Sequence, residues 1–357
     1  MKNKIPLCGV ITDTHTKDNN ISFVEGIFYQ FTTYLQNKNI KTAVHSGDWF
    51  DDRFTTSLNS LLSVKSIIKT IDSKEIELFT ISGNHEKCDY LTGSSYLNVI
   101  EDCSKSLKLY TYPGFYNHPE HKDIRFAFLS FFKEGEAYLG YLLELIEMIK
   151  KDDKKNGKRK TILFTHTSIT GAKNNDGTKV ENDLEQEFFD FFDLVIVGHY
   201  HNRNSLNSKI HYIGSAYSAN FGEDDRKGFA IIYSDLSIEY IQTEFPKYKK
   251  IVINATDKKQ LSEVLQQNQN SKDNVRIVLK GSQADLDAVD VVSIKNAGID
   301  IKCENTVELL VNFQEIEDAE IQIFDKESIL KGWIQYSSGI SLTSAQRKKG
   351  LDALKEM

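Results

Sequence analysis

The stretch IPLCGVITDTH, Ile5 to His15, opens as a short apolar run and ends on a polar pair, Asp13-x-His15. A run of that length reads as a buried strand. Val24, Ile27, Phe28, Phe31 and Leu35 then fall on one face of a helix. The alternation repeats outward. Residues 41–46 read as a strand, Leu61, Val64, Ile68 and Ile71 mark a second helix, and residues 77–82 a third strand. Residues 125–131, 161–165 and 194–197 are further buried strands, with a helix around Leu142, Leu145, Ile146 and Ile149. Strands alternating with helices imply an α/β layered fold. Between residues 210 and 243 short strands follow one another without helices, as in 228–233 and 236–243, so a mixed sheet is expected.

Phe245-Pro246, followed by Lys247, Lys249 and Lys250, marks a domain boundary. The chain then restarts as strand (251–254), helix (257–266), strand (275–279), helix (284–297) and strand (299–303). Asp257 and Gln260 fit a capping box at the first of these helices. This unit has no cluster of catalytic residue types. After Asp325 come two short amphipathic stretches, 328–336 and 342–354, which need something to pack against. The expected division is 1–246, a small α/β unit over 247–324, and a helical tail over 325–357.

The composition is globular, with 357 residues and 40% hydrophobic side chains. No apolar run approaches the ~18 residues that would cross a bilayer. The N-terminus runs directly into a strand without a signal-type apolar region. Cys8, Cys88, Cys103 and Cys303 show no paired or metal-type spacing, so free thiols in a reducing cytoplasm are expected. The formal net charge of −7 argues against a generally basic nucleic-acid binder, although bound cations or local patches can supply phosphate attraction.

Five clusters each follow an apolar run: Asp13-x-His15, Gly47-Asp48, Gly83-Asn84-His85-Glu86, His166, and Gly198-His199-x-His201. In an open α/β sheet the carboxyl ends of the strands are where loops converge on a site. A lone histidine at a strand end is usually a hydrogen-bonded structural residue. The whole series in this order is not accounted for that way. Mixed carboxylate, amide and imidazole ligands suit hard-to-borderline cations such as Mn²⁺. A carboxylate can bridge two such ions at about 3.5–4 Å, the separation that clamps a phosphoryl group. An Asn oxygen ligates without adding charge and keeps the site cationic.

Over about residues 5–243 this set resembles the calcineurin-like metallophosphoesterase superfamily. The resemblance implies a four-layer α-β-β-α sandwich. It implies one metal held by Asp13, His15, Asp48 and His201, and another by Asp48, Asn84, His166 and His199, with Asp48 as the bridge. Mn²⁺ is the implied ion, with Mg²⁺, Fe²⁺ or Zn²⁺ able to use the same ligands. His85 is implied to reach the scissile phosphate, stabilising the transition state or protonating the leaving group. Hydroxide activated by the two metals would attack. Glu86 is a candidate to orient His85, or else an acid at the surface beside it.

Residues 47–53 (GDWFDDR) with 82–86 (SGNHE) further resemble the DNA-repair nuclease subunits of the SbcD and Mre type, including the small subunits of phage recombination endonucleases. Residues 212–216 and 226–229 look like the segment those nucleases carry after GHxH. That branch implies DNA as substrate, a homodimer, and terminal helices that dock on an SMC-like ATPase. Trp49 and Arg53 are candidate DNA contacts, as are Lys158 and Arg159 in the basic run 150–160. Phe50 could join them, with core packing as its competing reading, and a solvated loop is the competing reading for the run. Trp333, with Ile329, Leu330 and Ile334, either anchors a partner or folds back on the small unit. The alternative function is a stand-alone phosphodiesterase or phosphatase acting on a small nucleotide or phosphoprotein. A non-enzymatic scaffold is disfavoured, because no ligand of the set is missing.

Overall fold

The computed structural model describes residues 4–306 apart from 134, 175, 176 and 297. The stretches 328–336 and 342–354, Trp333 and the expected tail lie outside the described residues. In chain order the elements are β1 (Pro6–Ile11), α1 (Ile21–Asn37), β2 (Thr42–His45), α2 (Leu58–Ser73), β3 (Glu77–Ile81), β4 (Leu107–Tyr110) and β5 (Gly114–Asn117). Next come β6 (Ile124–Leu129), α3 (Glu136–Asn156), β7 (Lys160–His166), β8 (Leu194–Gly198), β9 (Asn204–Ser205), β10 (Ile210–Tyr212), β11 (Gly228–Tyr233) and β12 (Ile238–Gln242). The last are β13 (Tyr248–Asn254), α4 (Lys258–Asn268), β14 (Asn274–Gly281), α5 (Gln283–Asp287), α6 (Val291–Asn296) and β15 (Asp300–Asn305).

Two six-stranded sheets form the body, in the orders β12-β11-β1-β2-β3-β4 and β5-β6-β7-β8-β10-β9. Both are mixed, as the shift in pattern after residue 210 predicts. β1, β2, β3 and β4 run parallel, as do β6, β7 and β8, whereas β11 and β12 join antiparallel. The period-2 alternation of each strand decides the layers. Val10, Val44, Phe79, Phe126, Phe128, Phe164 and Ile196 face inward between the sheets. Their neighbours Ile11, Ala43 and Leu78 face α1 and α2, while Ala127, Leu163 and Val195 face α3. The result is four layers, α-β-β-α.

Several elements differ from the sequence pattern. β4, β5 and β9 are short edge or near-edge strands, too brief to show a period. The helix expected over 284–297 is two helices, α5 and α6. Ser282 accepts the Asp285 N–H to cap the first, and Asp290 accepts the Ser293 N–H at 3.0 Å to start the second. The β-branched Val289 between them, with Val291 and Val292 at the start of the second, weakens a continuous helix. β13, β14 and β15 form a parallel three-stranded sheet with its own core of Ile253, Leu261, Ile277, Leu279, Leu286 and Ile294.

Phe128 lies at the centre of the inter-sheet layer, stacked on Tyr110 at 4.4 Å and Phe79 at 5.2 Å. Phe128→Ala should cost about 3–5 kcal/mol through lost burial and a residual cavity. A urea titration followed by tryptophan fluorescence checks this, and a change under ~1 kcal/mol would contradict the packing described.

Candidate metal centre

The two sheets end side by side, and the loops leaving β1, β2, β3, β7 and β8 meet there. Asp13, His15 and His201 bring ligand atoms within 4.8 Å of one another, as do Asp48, His166 and His199. A third such group joins His15 and Asp48 to His85. Asn84 completes the second group, its Oδ1 lying 3.1 Å from His166 Nε2 and 3.0 Å from His199 Nδ1. Every residue expected as a metal ligand is therefore in one cluster, with Asp48 common to two of its groups.

The backbone is bent to achieve this. Asp13, His15, Asp48 and His199 have positive φ angles of 52°, 44°, 58° and 100°. Such conformations persist only where surrounding structure over-determines them. Here Asp13 N–H donates to the Gly47 carbonyl (3.0 Å), and Thr14 and His15 both donate to the Asp48 carbonyl (2.9 and 3.1 Å). The His199 N–H is received by both carboxylate oxygens of Asp13. The glycines of the motifs serve close approach. A Cβ on Gly83 would stand 2.1 Å from Asp48 Oδ1, and one on Gly198 would stand 2.4 Å from Thr12 Oγ1.

The arrangement fits a cation. His15 Nε2 and His201 Nε2 face each other at 2.9 Å, and the buried His15 Nδ1 has no hydrogen-bond partner among the described residues. Ring nitrogens that converge on two buried carboxylates supply lone pairs in the pattern a divalent ion takes. Burial holds the His15 imidazole neutral, lowering its pKa to about 3. Burial, followed by the charge on His166, does the same for His199. At His166 burial opposes protonation, but the Asp48 carboxylate at 3.2 Å outweighs it and raises the pKa to about 9. Burial likewise opposes ionisation of Asp48, yet His166 holds its pKa well below the ordinary carboxylate value. A positive charge is thus already favoured beside Asp48.

His85 stands at the mouth, its side chain 30% exposed. The Asp51 carbonyl, 2.5 Å from Nδ1, can only accept, so Nδ1 carries a proton and Nε2 faces Asp48 at 3.9 Å. Glu86 corrects both expectations placed on it. It is fully buried, and its carboxylate receives the N–H groups of Asp48, Phe50 and Gly83 instead of touching the His85 ring. Burial and then the Asp48 charge push its pKa up to about 8. Trp49 is another correction. It is fully buried, stacked on His45 at 3.8 Å with its indole N–H on Thr80 Oγ1, and cannot reach a nucleic acid. Phe50 is core. Lys158 and Arg159 precede β7, whose other end carries His166, so they lie roughly 20 Å from the centre along the strand. Arg159 is tied to Asp152, which also pairs with the buried Arg125. Arg53 is exposed, and its guanidinium donates to the Tyr90 hydroxyl at 2.7 Å.

Glu223 and Lys227 escape the sequence reading. Glu223 is buried and its Oε1 lies 3.0 Å from His201 Nδ1, while Lys227 Nζ pairs with Oε2 at 2.8 Å. Lys227 also donates to the His201 carbonyl at 2.6 Å. Lys227 lies in the stretch 226–229 that carries the resemblance, whereas Glu223 belongs to no motif. A carboxylate behind a ligating imidazole fixes its tautomer and orientation. Glu223→Gln should weaken Mn²⁺ binding by about 10–100-fold in calorimetric titration. Affinity equal to the wild type would show that His201 needs no such support.

The profile of the calcineurin-like phosphoesterase family matches residues 8–203, more than half of the chain. The chain is similar to the SbcD subunit of the SbcCD nuclease from Staphylococcus epidermidis, 26% identical over 231 residues that cover 58% of this chain and 59% of that protein. It is also 26% identical over 210 residues to exonuclease subunit 1 of enterobacteria phage T4, covering 58% and 56% of the two chains. A putative phosphoesterase, 078R, of Invertebrate iridescent virus 3 is 22% identical over 244 residues, covering 66% of each. The matched region thus spans between half and two-thirds of these relatives. Among solved structures a dimetal phosphatase from Danio rerio matches at 11% identity and a TM-score of 0.44, over 68% of this chain and 100% of that one. With the metal-ligand geometry and the matched profile together, the chain belongs to the calcineurin-like phosphoesterases.

Proposed function

We propose that this protein is a metal-dependent DNA exo/endonuclease, the nuclease subunit of a recombination and repair assembly of the SbcCD or Mre–Rad kind. The observation that carries the hydrolytic reading is the convergence of Asp13, His15, Asp48, Asn84, His166, His199 and His201 at the sheet ends, with His85 at the mouth. The choice of DNA is supported by relatives named as nuclease and exonuclease subunits.

Two divalent cations, Mn²⁺ by preference, held in the groups bridged by Asp48 would draw in a phosphodiester and lower the pKa of the attacking water. The chain supplies the rest. Glu86 pins the backbone of Asp48 and Gly83, so the bridging carboxylate is preorganised. Asp51 keeps His85 Nε2 turned to the substrate side, where its protonated form can donate to the leaving oxygen. Lys227 and Glu223 keep His201 in register.

In this reading residues 1–246 are the nuclease domain, 247–324 a capping domain and 325–357 a segment that docks an SMC-like ATPase, with the nuclease domain pairing as a homodimer. No helix among the described residues is long and apolar enough to cross a membrane. The four cysteines are free thiols, which suits a cytoplasmic setting.

With Mn²⁺, the wild type should degrade linear DNA, and His85→Ala should lose turnover by at least about 10²-fold. The variant should keep its metal content near that of the wild type. Loss of metal from it would make His85 a ligand, and hydrolysis confined to small phosphate esters would favour a small-molecule phosphoesterase. Truncation after Phe324 should abolish association with the ATPase while a generic diester is still hydrolysed. Undiminished association in a pull-down would remove the docking role from the tail.

A further inference from the structure

Two residues past His201 the chain carries an arginine whose charge nothing in the hydrolytic machinery uses. We propose that Arg203, with Lys173 across the same cleft, forms an oxyanion site for a phosphate of the bound strand other than the one being cleaved. This rests on the nuclease reading and deepens it, by naming a second point at which the strand is held.

The cleft holds about 600 Å³, and its lining includes Lys173, Asn174, Arg203, Asn204, Arg226 and Tyr240. Its place against the metal centre is set by the backbone. Two residues span at most ~7 Å of chain, so Arg203 stays close to His201. Gly214 packs against both: a Cβ there would stand 2.9 Å from the His201 carbonyl oxygen and 3.1 Å from the Arg203 nitrogen. Lys227 Nζ donates to the His201 carbonyl and to Asn202 Oδ1, and Asn202 also lines the cleft. Lys173 and Asn174, on the opposite wall, belong to the loop that leaves β7 at His166.

The Arg203 side chain is held but not matched. Its Nε donates to the Ile213 carbonyl at 3.2 Å, and the guanidinium lies 4.5 Å from the Tyr240 ring centre. Nη2 is buried and has no hydrogen-bond partner among the described residues, and the same holds for the buried Nδ2 of Asn204. Asp224 also lines the cleft, but Arg226 takes it, with Nε and Nη2 at 3.0 and 2.7 Å from Oδ2. Among the described residues Arg203 is therefore left without a carboxylate partner.

A part-buried guanidinium with one nitrogen shut off from water and no counter-ion is costly. A phosphate supplies what is missing, negative charge and acceptor oxygens, and the planar fork suits its geometry. An acidic peptide could use the same fork. The cleft, however, adjoins the centre where the scissile phosphate binds, and a strand held there brings its neighbouring phosphates close by.

The test measures kcat/KM of the full chain with Mn²⁺ on a single-stranded oligonucleotide and on bis(p-nitrophenyl) phosphate, which has no second phosphate. Arg203→Gln should lower the oligonucleotide value by about tenfold and leave the small diester unchanged. Lys173→Gln, at an exposed position, should lower it in the same direction. Plotted as logarithms against salt, the oligonucleotide value should fall less steeply in Arg203→Gln, by about 0.7 in slope for one lost phosphate contact. Oligonucleotides with and without a terminal phosphate separate the two sources. A wild-type loss on removing that phosphate, absent in Arg203→Gln, assigns the site to a strand end, and equal activity assigns it to an internal phosphate. Equal losses on both substrates would mean that Arg203 acts through His201 and would overturn the site. An unchanged oligonucleotide value and salt slope in Arg203→Gln, the result an acidic-peptide site would give, would overturn it too and leave the nuclease reading standing. A wild type that hydrolyses the small diester but no DNA would overturn both.

Discussion

Four imidazoles and two carboxylates meet in a space largely closed to water, with their lone pairs turned toward one another. Such a convergence is unfavourable unless positive charge is shared among them. The fold holds it in place: positive φ angles at Asp13, His15, Asp48 and His199 are locked by hydrogen bonds between neighbouring loops. Buried Glu86 and Glu223 act from behind. One fastens the loops after β2 and β3 by their N–H groups, and the other fastens His201 through Nδ1. Everything else in the body serves to bring these loops to one place.

Neither sheet owns the site. The first supplies Asp13, His15, Asp48, Asn84 and His85, and the second supplies His166, His199 and His201. The inter-sheet layer of Phe79, Phe126, Phe128 and Phe164 therefore has a functional consequence, because it sets where one set of ligands stands against the other. Close approach of the loops also explains why glycine precedes Asn84 and His199. A β-carbon there would meet side chains across the gap between loops.

Charge is arranged locally against an overall net of −7. In the basic run at the end of α3, Arg159 pairs with Asp152, which with Asp153 also answers the buried Arg125, and the run sits at the far end of β7. That run is therefore too distant to add positive charge at the ligand cluster. Long-range steering by the whole surface would be weak at physiological salt.

Layering and the strand ends at which the polar clusters converge were legible in the residues, because period-2 and period-3.6 burial and polar residues at strand ends are local signals. The roles around the ligands were not. Trp49 follows Asp48 and looks available for stacking, but its indole turns inward onto His45 and Phe28. Glu86 adjoins His85, yet its carboxylate turns to backbone groups of another loop. Glu223 lies 22 positions from His201 and meets it through the packing of the segment before β11. The direction of a side chain at the end of a strand, and the partner it finds across the chain, depend on how non-adjacent loops fold over one another, and no periodicity records that.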